Sequence, residues 1–165
     1  MKTFAIPAIV LAATMAAGAA KADILATATN GLDQVFPAGA NFGVVLDGAG
    51  GKNTIKFTTE KAGPVVIAFY AECAVDGTVT DWVDIDILVD PAGSGGYAAI
   101  PPTDDDNAMC TGFKEAAGGG DDRWLSAVVA GTIELPKGTH KVKVRGNVGG
   151  EGSVRLDDIL LTVEN

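Results

Sequence analysis

The residues best suited to chemistry lie in the run Trp82-Val83-Asp84-Ile85-Asp86-Ile87-Leu88-Val89. Successive side chains of a strand point to opposite faces, so Val83, Ile85, Ile87 and Val89 share one face and Trp82, Asp84, Asp86 and Leu88 the other. The branched aliphatic face reads as core. The opposite face sets a flat indole beside two carboxylates, which is how many proteins hold a sugar, by ring stacking and hydrogen bonds to hydroxyls. The plainer alternative is an indole half-buried under a loop. Asp84 and Asp86 stand about 6.6 Å apart by strand rise, near the lower end of the spacing of an inverting glycosidase pair, so spacing alone permits hydrolysis. The same acids could instead pair across the sheet with the basic stripe Lys141, Lys143 and Arg145, or that stripe could protect a sheet edge. His140 falls on the apolar side of its segment, with Val142 and Val144, where it reads as structural.

Tyr97 and Trp124 are further aromatic candidates for contact with a ligand. The acidic stretch Asp104, Asp105, Asp106, Asn107 and the pair Asp121-Asp122 offer oxygen ligands of the kind that suit Ca²⁺, but neither has EF-hand spacing, and acidic loops are commonly just solvated. Cys73 and Cys110 are the only cysteines. In an exported protein they are expected to pair. Neither has a CxxC neighbour, and one histidine is available as a base, which argues against a redox or nucleophilic thiol.

These groups must be positioned by strands, because the mature chain has no sustained helical period. Strands are expected over Phe42 to Leu46, Thr54 to Thr58, Val65 to Cys73, Val79 to Asp90, Trp124 to Leu135, Thr139 to Arg145 and Val154 to Glu164, with shorter ones at Ile24 to Thr29 and Tyr97 to Ile100. Asp47 to Lys52 and Gly118 to Asp122 read as glycine-rich turns, Pro101 to Met109 as a long acidic insertion, and Cys110 to Ala117 as room for one helical turn. In the last strand Val154 and Leu156 share one parity, while Ile159, Leu161 and Val163 share the other. A bulge at Asp157-Asp158 reconciles them. The fold expected is all-β: a two-sheet antiparallel β-sandwich, jelly-roll-like, with one disulfide.

Two resemblances follow from these segments. The Trp82 strand resembles the catalytic strand of laminarinase-type jelly-roll hydrolases, in which Glu and Asp alternate with apolar residues before a closing Glu. Asp84 and Asp86 match the first two acids, but the closing position falls on Leu88 or Val89, and the mature chain is short for that domain. Leu156-Asp157-Asp158-Ile159-Leu160-Leu161, after the hairpin signal Leu135 to His140, resembles the closing strands of carbohydrate-binding modules with a galactose-binding-like jelly roll. That resemblance covers about 30 residues. It implies a non-catalytic sugar-binding role and a structural Ca²⁺ held by Asp158, and less directly by Asp157. The early Gly and Glu pattern that completes the family's ion site is not evident between Asp23 and Lys61.

Composition sets the bounds. In 165 residues there are 22 Gly, 7 Pro, one His and two Cys, which leaves no room for a His-rich metal centre, a Cys-ligated zinc or a coiled coil. Lys2, the apolar run Phe4 to Ala17 and the small-x-small pattern Ala20-Lys21-Ala22 read as a signal peptide over residues 1–22. A single domain over residues 23–165 remains, with no expected membrane insertion after cleavage. Loss of Lys2 and Lys21 leaves 10 basic against 21 acidic residues, a surface that repels nucleic acid and anionic lipid. The expectation is a secreted protein, periplasmic or extracellular, that binds a glycan or other surface polymer through Trp82, Asp84, Asp86, Tyr97 and Trp124. The alternatives are a self-associating subunit of an envelope or extracellular matrix and a small jelly-roll glycoside hydrolase.

Overall fold

The computed structural model, which describes residues 22–103, 108–112 and 124–165, contains eleven strands, the longer of them on runs rich in β-branched and aromatic residues with an apolar face. They are β1 (Ile24–Asn30), β2 (Gln34–Phe36), β3 (Asn41–Gly43), β4 (Ile55–Thr59), β5 (Gly63–Asp76), β6 (Trp82–Asp90), β7 (Ala98–Ala99), β8 (Ala108–Thr111), β9 (Leu125–Leu135), β10 (Gly138–Gly149) and β11 (Ser153–Glu164). The described residues contain no helix. The first sheet runs β1-β11-β5-β9, with β2 also on β11, and the second centres on β10 and β6, with β3 and β4 on β10 and β7 and β8 on β6. All pairings are antiparallel.

If β1 with β2, β3 with β4, and β7 with β8 are each counted as one interrupted strand, the sheets read 1-8-3-6 and 2-7-4-5. That is the jelly-roll order. The two inner faces meet in one core. Val65, Ile67, Phe69, Leu156, Leu161 and Val163 come from the first sheet, and Val83, Ile85, Ile87, Val89, Val142, Val144 and Val148 from the second. Truncating one of these, as in Ile85→Ala, removes buried area and leaves a cavity, at a cost of about 2–5 kcal/mol.

The bulge in β11 lies where the change of parity requires it. Asp157 faces Glu72 and Leu160 faces Tyr70, with the register shift between them, and Asp158 takes a positive φ of 46°. Asp is among the few non-glycine residues that enter this region readily.

Several local expectations are corrected. Phe42 to Leu46 does not form one strand, because β3 ends at Gly43. β2 was unforeseen, since three residues carry too little periodicity to register. The strand β8 takes Ala108 and Met109 out of the expected insertion and Cys110 and Thr111 out of the expected helical turn, because pairing with β6 satisfies their backbone. Residues 104–107 and 113–123, which hold both acidic candidate ion sites, lie outside the described residues, as do residues 1–21 of the expected signal. No helix of the described residues is long and apolar enough to cross a membrane.

Cys73 of β5 and Cys110 of β8 form the disulfide, with 37 residues of separation, and join one sheet to the other inside the core. Denatured, unreduced protein should therefore titrate no free thiol. Replacing both cysteines with Ser should lower the unfolding free energy in urea by about 4 kcal/mol, the chain-entropy value for a loop of this length. Two titratable thiols would overturn the pairing.

Candidate functional site

The β6–β10 ladder places the candidate residues. Its outer face opposes Gly149 to Trp82, Asn147 to Asp84, Arg145 to Asp86, Lys143 to Leu88 and Lys141 to Asp90. Trp82 lies over Gly149, where a Cβ would collide with Cε2, Cζ2 and Nε1 of the indole. A glycine at that register position is what lets the ring settle against the sheet. Beside it, Arg145 Nε donates to Asp86 Oδ2 at 3.0 Å, and Nη2 makes a second contact with the same oxygen. The Arg145 side chain remains 54% exposed, whereas that of Asp86 is 12% exposed, and Asp84 is buried as well. The cross-strand reading of Asp86 is therefore the observed one, and the guanidinium, not the carboxylate, faces outward.

Farther along the face, Lys143 Nζ stands 4.0 Å from the centroid of the Tyr97 ring, a cation–π contact. Lys141 Nζ donates to the Gly93 carbonyl at 2.6 Å. Trp82 and Tyr97 thus share one face, about 26 Å apart along it by strand rise. Trp124 does not join them. Arg155 of β11 lies 5.0 Å over its ring and holds Asp33 at 2.8 Å. Arg155 projects away from its core neighbours Val154 and Leu156, so Trp124 belongs to the outer side of the first sheet. Spacing along the chain could not reveal this, because Trp82 opens a strand of one sheet and Trp124 directly precedes a strand of the other.

Two buried carboxylates hold the ends of β6. Asp81, just before Trp82, accepts from the Thr78 N–H and, at 2.8 Å, from the Glu151 N–H. These bonds, with the Thr78 side chain and the Gly152 N–H, hold it below the usual carboxylate range against the opposing effect of burial. A Cβ at Gly77 or Gly150 would collide with this carboxylate, and Gly150 also has a φ of 89°. At the far end, burial disfavours the charge of Asp90, but the N–H groups of Gly95, Ser94 and Ala92, together with Lys141, outweigh it and lower its pKa.

His140 is structural, as expected. It is buried, with Nδ1 2.6 Å from the Pro91 carbonyl and Nε2 2.9 Å from Thr59 Oγ1 and 3.0 Å from the Pro136 carbonyl. At the bulge, the Asp158 N–H donates to Asp157 Oδ1 at 2.8 Å. Among the described residues, no group of three or more His, Cys, Asp or Glu side chains is arranged to hold a metal ion.

Reading the residues in order missed Gly149, Asp81, Asp90 and a cleft of about 220 Å³ bordered by Asn41, Gly43, Asn53, Lys143 and Arg145. Only cross-strand register brings these together. Gly43 lies directly opposite Arg145, and its missing side chain leaves the space.

No protein-family model matches the sequence, and neither does any curated protein sequence. Among solved structures, the chain is similar to the VP2 subviral particle protein of infectious bursal disease virus at 14% identity and a TM-score of 0.49, covering 96% of this chain and 37% of that one. It is similar to a carbohydrate-binding module (CBM6cm-2) of Cellvibrio mixtus lichenase 5A, solved with cellotriose, at 16% identity and a TM-score of 0.40, covering 87% and 98% of the two chains. It is also similar to the CBM22-1 xylan-binding domain of Paenibacillus barcinonensis Xyn10C, at 14% identity and a TM-score of 0.35, covering 86% and 94%. Carbohydrate-binding modules are thus among the structures this chain is similar to, as the closing strands led us to expect. The chain spans little more than a third of the viral protein.

Both clamping aspartates are more acidic folded than unfolded. Their contribution to stability is present above the ordinary carboxylate value near pH 4 and is lost as pH falls through their folded values. Urea midpoints should hold near pH 7 and drop below about pH 4. Asp81→Asn should lower the midpoint at pH 7 and flatten that drop, and a variant with the wild-type midpoint at pH 7 would show that the clamp contributes nothing.

Proposed function

We propose that this protein is a secreted, non-catalytic β-sandwich that binds a glycan on the outer face of its second sheet. The observation that carries this reading is the Trp82 indole lying over Gly149 at one end of a row of polar groups. An indole lying against a sheet offers its free face to the C–H side of a sugar ring, and Arg145 and Asn147 supply donors and acceptors for hydroxyls. With Tyr97 about 26 Å farther along, the face is long enough for several sugar units. Hydrolysis is less well supported. Asp86 is covered and turned to Arg145, an arrangement that positions a guanidinium and does not present an acid to a glycosidic oxygen. Export accords with the disulfide.

A second reading, self-association, has one specific observation behind it. β9 is an edge strand of eleven residues in which Glu134 is the single charge, and among the described residues no strand pairs with its outer side. It lacks the lysines, prolines and bulges that usually guard such edges. The mass of the purified protein in dilute solution separates the readings: a monomer fits the binding protein, and a defined oligomer that Val128→Lys dissociates fits assembly.

For the glycan reading, a glycan array should find a ligand, and Trp82→Ala should weaken its binding by about 1 kcal/mol or more. Its stability should fall much less than the 2–5 kcal/mol or so expected for Ile85→Ala. A Trp82 variant that unfolds as readily as the Ile85 one would make the indole part of the core and remove the main support for this face.

A further inference from the structure

The binding face is positively charged on a protein of net charge −9. Four cations, Lys56, Lys141, Lys143 and Arg145, occupy adjacent outer positions of β4 and β10. Lys56 stands directly opposite Lys141, a like-charge pairing that costs stability in a sheet. Among the described residues, the carboxylates of the same ladder, Asp84, Asp86 and Asp90, are buried, so the charges of this face that meet solvent are the cations.

Two of these cations are held in place. Asp86 engages the Nε and Nη2 side of Arg145, which leaves the Nη1–Nη2 edge free for a second planar anion. Lys143 is held over Tyr97. Both border the cleft of about 220 Å³, whose other walls are Asn41, Phe42, Gly43, Asn53 and Val144. Fixed cations beside amide donors and acceptors, in line with an aromatic platform, suit a sugar ring that carries an acid group.

We propose that the ligand of this face is an anionic polysaccharide, its carboxylate or sulfate groups seated between Arg145 and Lys143 in the Gly43 cleft. This deepens the glycan reading and rests on it. The overall negative charge does not forbid it, because at physiological salt charges more than about 8 Å apart are largely screened, and the local arrangement decides.

The test measures binding of purified protein to polygalacturonate, dextran sulfate, xylan, hydroxyethyl cellulose and poly-L-glutamate at about 0.15 M salt. Polygalacturonate or dextran sulfate should bind well above the two neutral glycans and weaken as salt rises, and comparison of the two distinguishes a carboxylate from a sulfate ligand. Lys143→Gln should weaken that binding about fivefold, the upper range for a partly exposed ion pair. Gly43→Val should do the same by filling the cleft without removing charge; a Cβ there meets Asn53 Nδ2 at 3.8 Å, an ordinary contact. Melting temperatures of both variants serve as controls for folding. Arg145→Ala is unsuitable because it would leave Asp86 buried without its partner. Equal binding of neutral and acidic glycans, still dependent on Trp82, would overturn the anionic ligand and leave the glycan reading intact. Poly-L-glutamate binding as tightly as the acidic glycans would overturn the sugar specificity, and binding of no glycan at all would remove both.

Discussion

One ladder governs the molecule. β6 and β10 pair over nine consecutive positions, from Trp82 opposite Gly149 to Asp90 opposite Lys141, without a register shift. A slip of one residue would turn Val83, Ile85, Ile87 and Val89 to solvent and drive Trp82 and the aspartates into the core. Exposing a buried aliphatic side chain of this size costs about 1.5–3 kcal/mol, so four of them fix the register far more firmly than any polar contact could. The outer face inherits its geometry from that choice. The indole over Gly149, the guanidinium against Asp86 and the lysine beside Asp90 all follow from one alignment that the core selects.

The ends of that ladder need separate provision, because a strand that stops leaves backbone donors without ladder partners. Here Asp81 and Asp90 supply acceptors, one before the first residue of β6 and the other at its last. Both are buried, and a buried carboxylate is tolerable only where several donors replace its water. Glycines make this possible at the Asp81 end, since the backbone of Gly77 and Gly150 approaches the carboxylate more closely than a side chain would permit. Trp82 follows Asp81 directly, so the clamp that ends the loop also anchors the residue that begins the proposed binding face.

Period-two alternation made the fold class, the long strands and the β11 bulge legible, because burial of one face writes itself into consecutive residues. The same alternation put Trp82, Asp84 and Asp86 on one face and His140 on the other side of its own strand. Pairings across sequence left no such trace. That Gly149 underlies Trp82, that Gly43 opens a space before Arg145, and that Trp124 sits on the opposite sheet are facts of register and topology. β2 and β8 escaped notice for a related reason: three or four residues carry almost no periodicity, and their strand character comes from the neighbour they pair with.

Charge shows the same separation between composition and arrangement. Summed over the chain, acid predominates, and the sum describes long-range repulsion of polyanions. It does not describe a face where, among the described residues, three carboxylates are buried and four cations occupy outer positions. Burying the Asp86 carboxylate costs hydration that offsets much of its attraction to Arg145, so the intact pair does little for stability. Its effect is geometric, since two contacts to one carboxylate oxygen hold a long, flexible side chain in a single orientation at the surface. A guanidinium already ordered in this way would lose less entropy on meeting a ligand than a free one, so Asp86 orders part of the proposed binding face in advance.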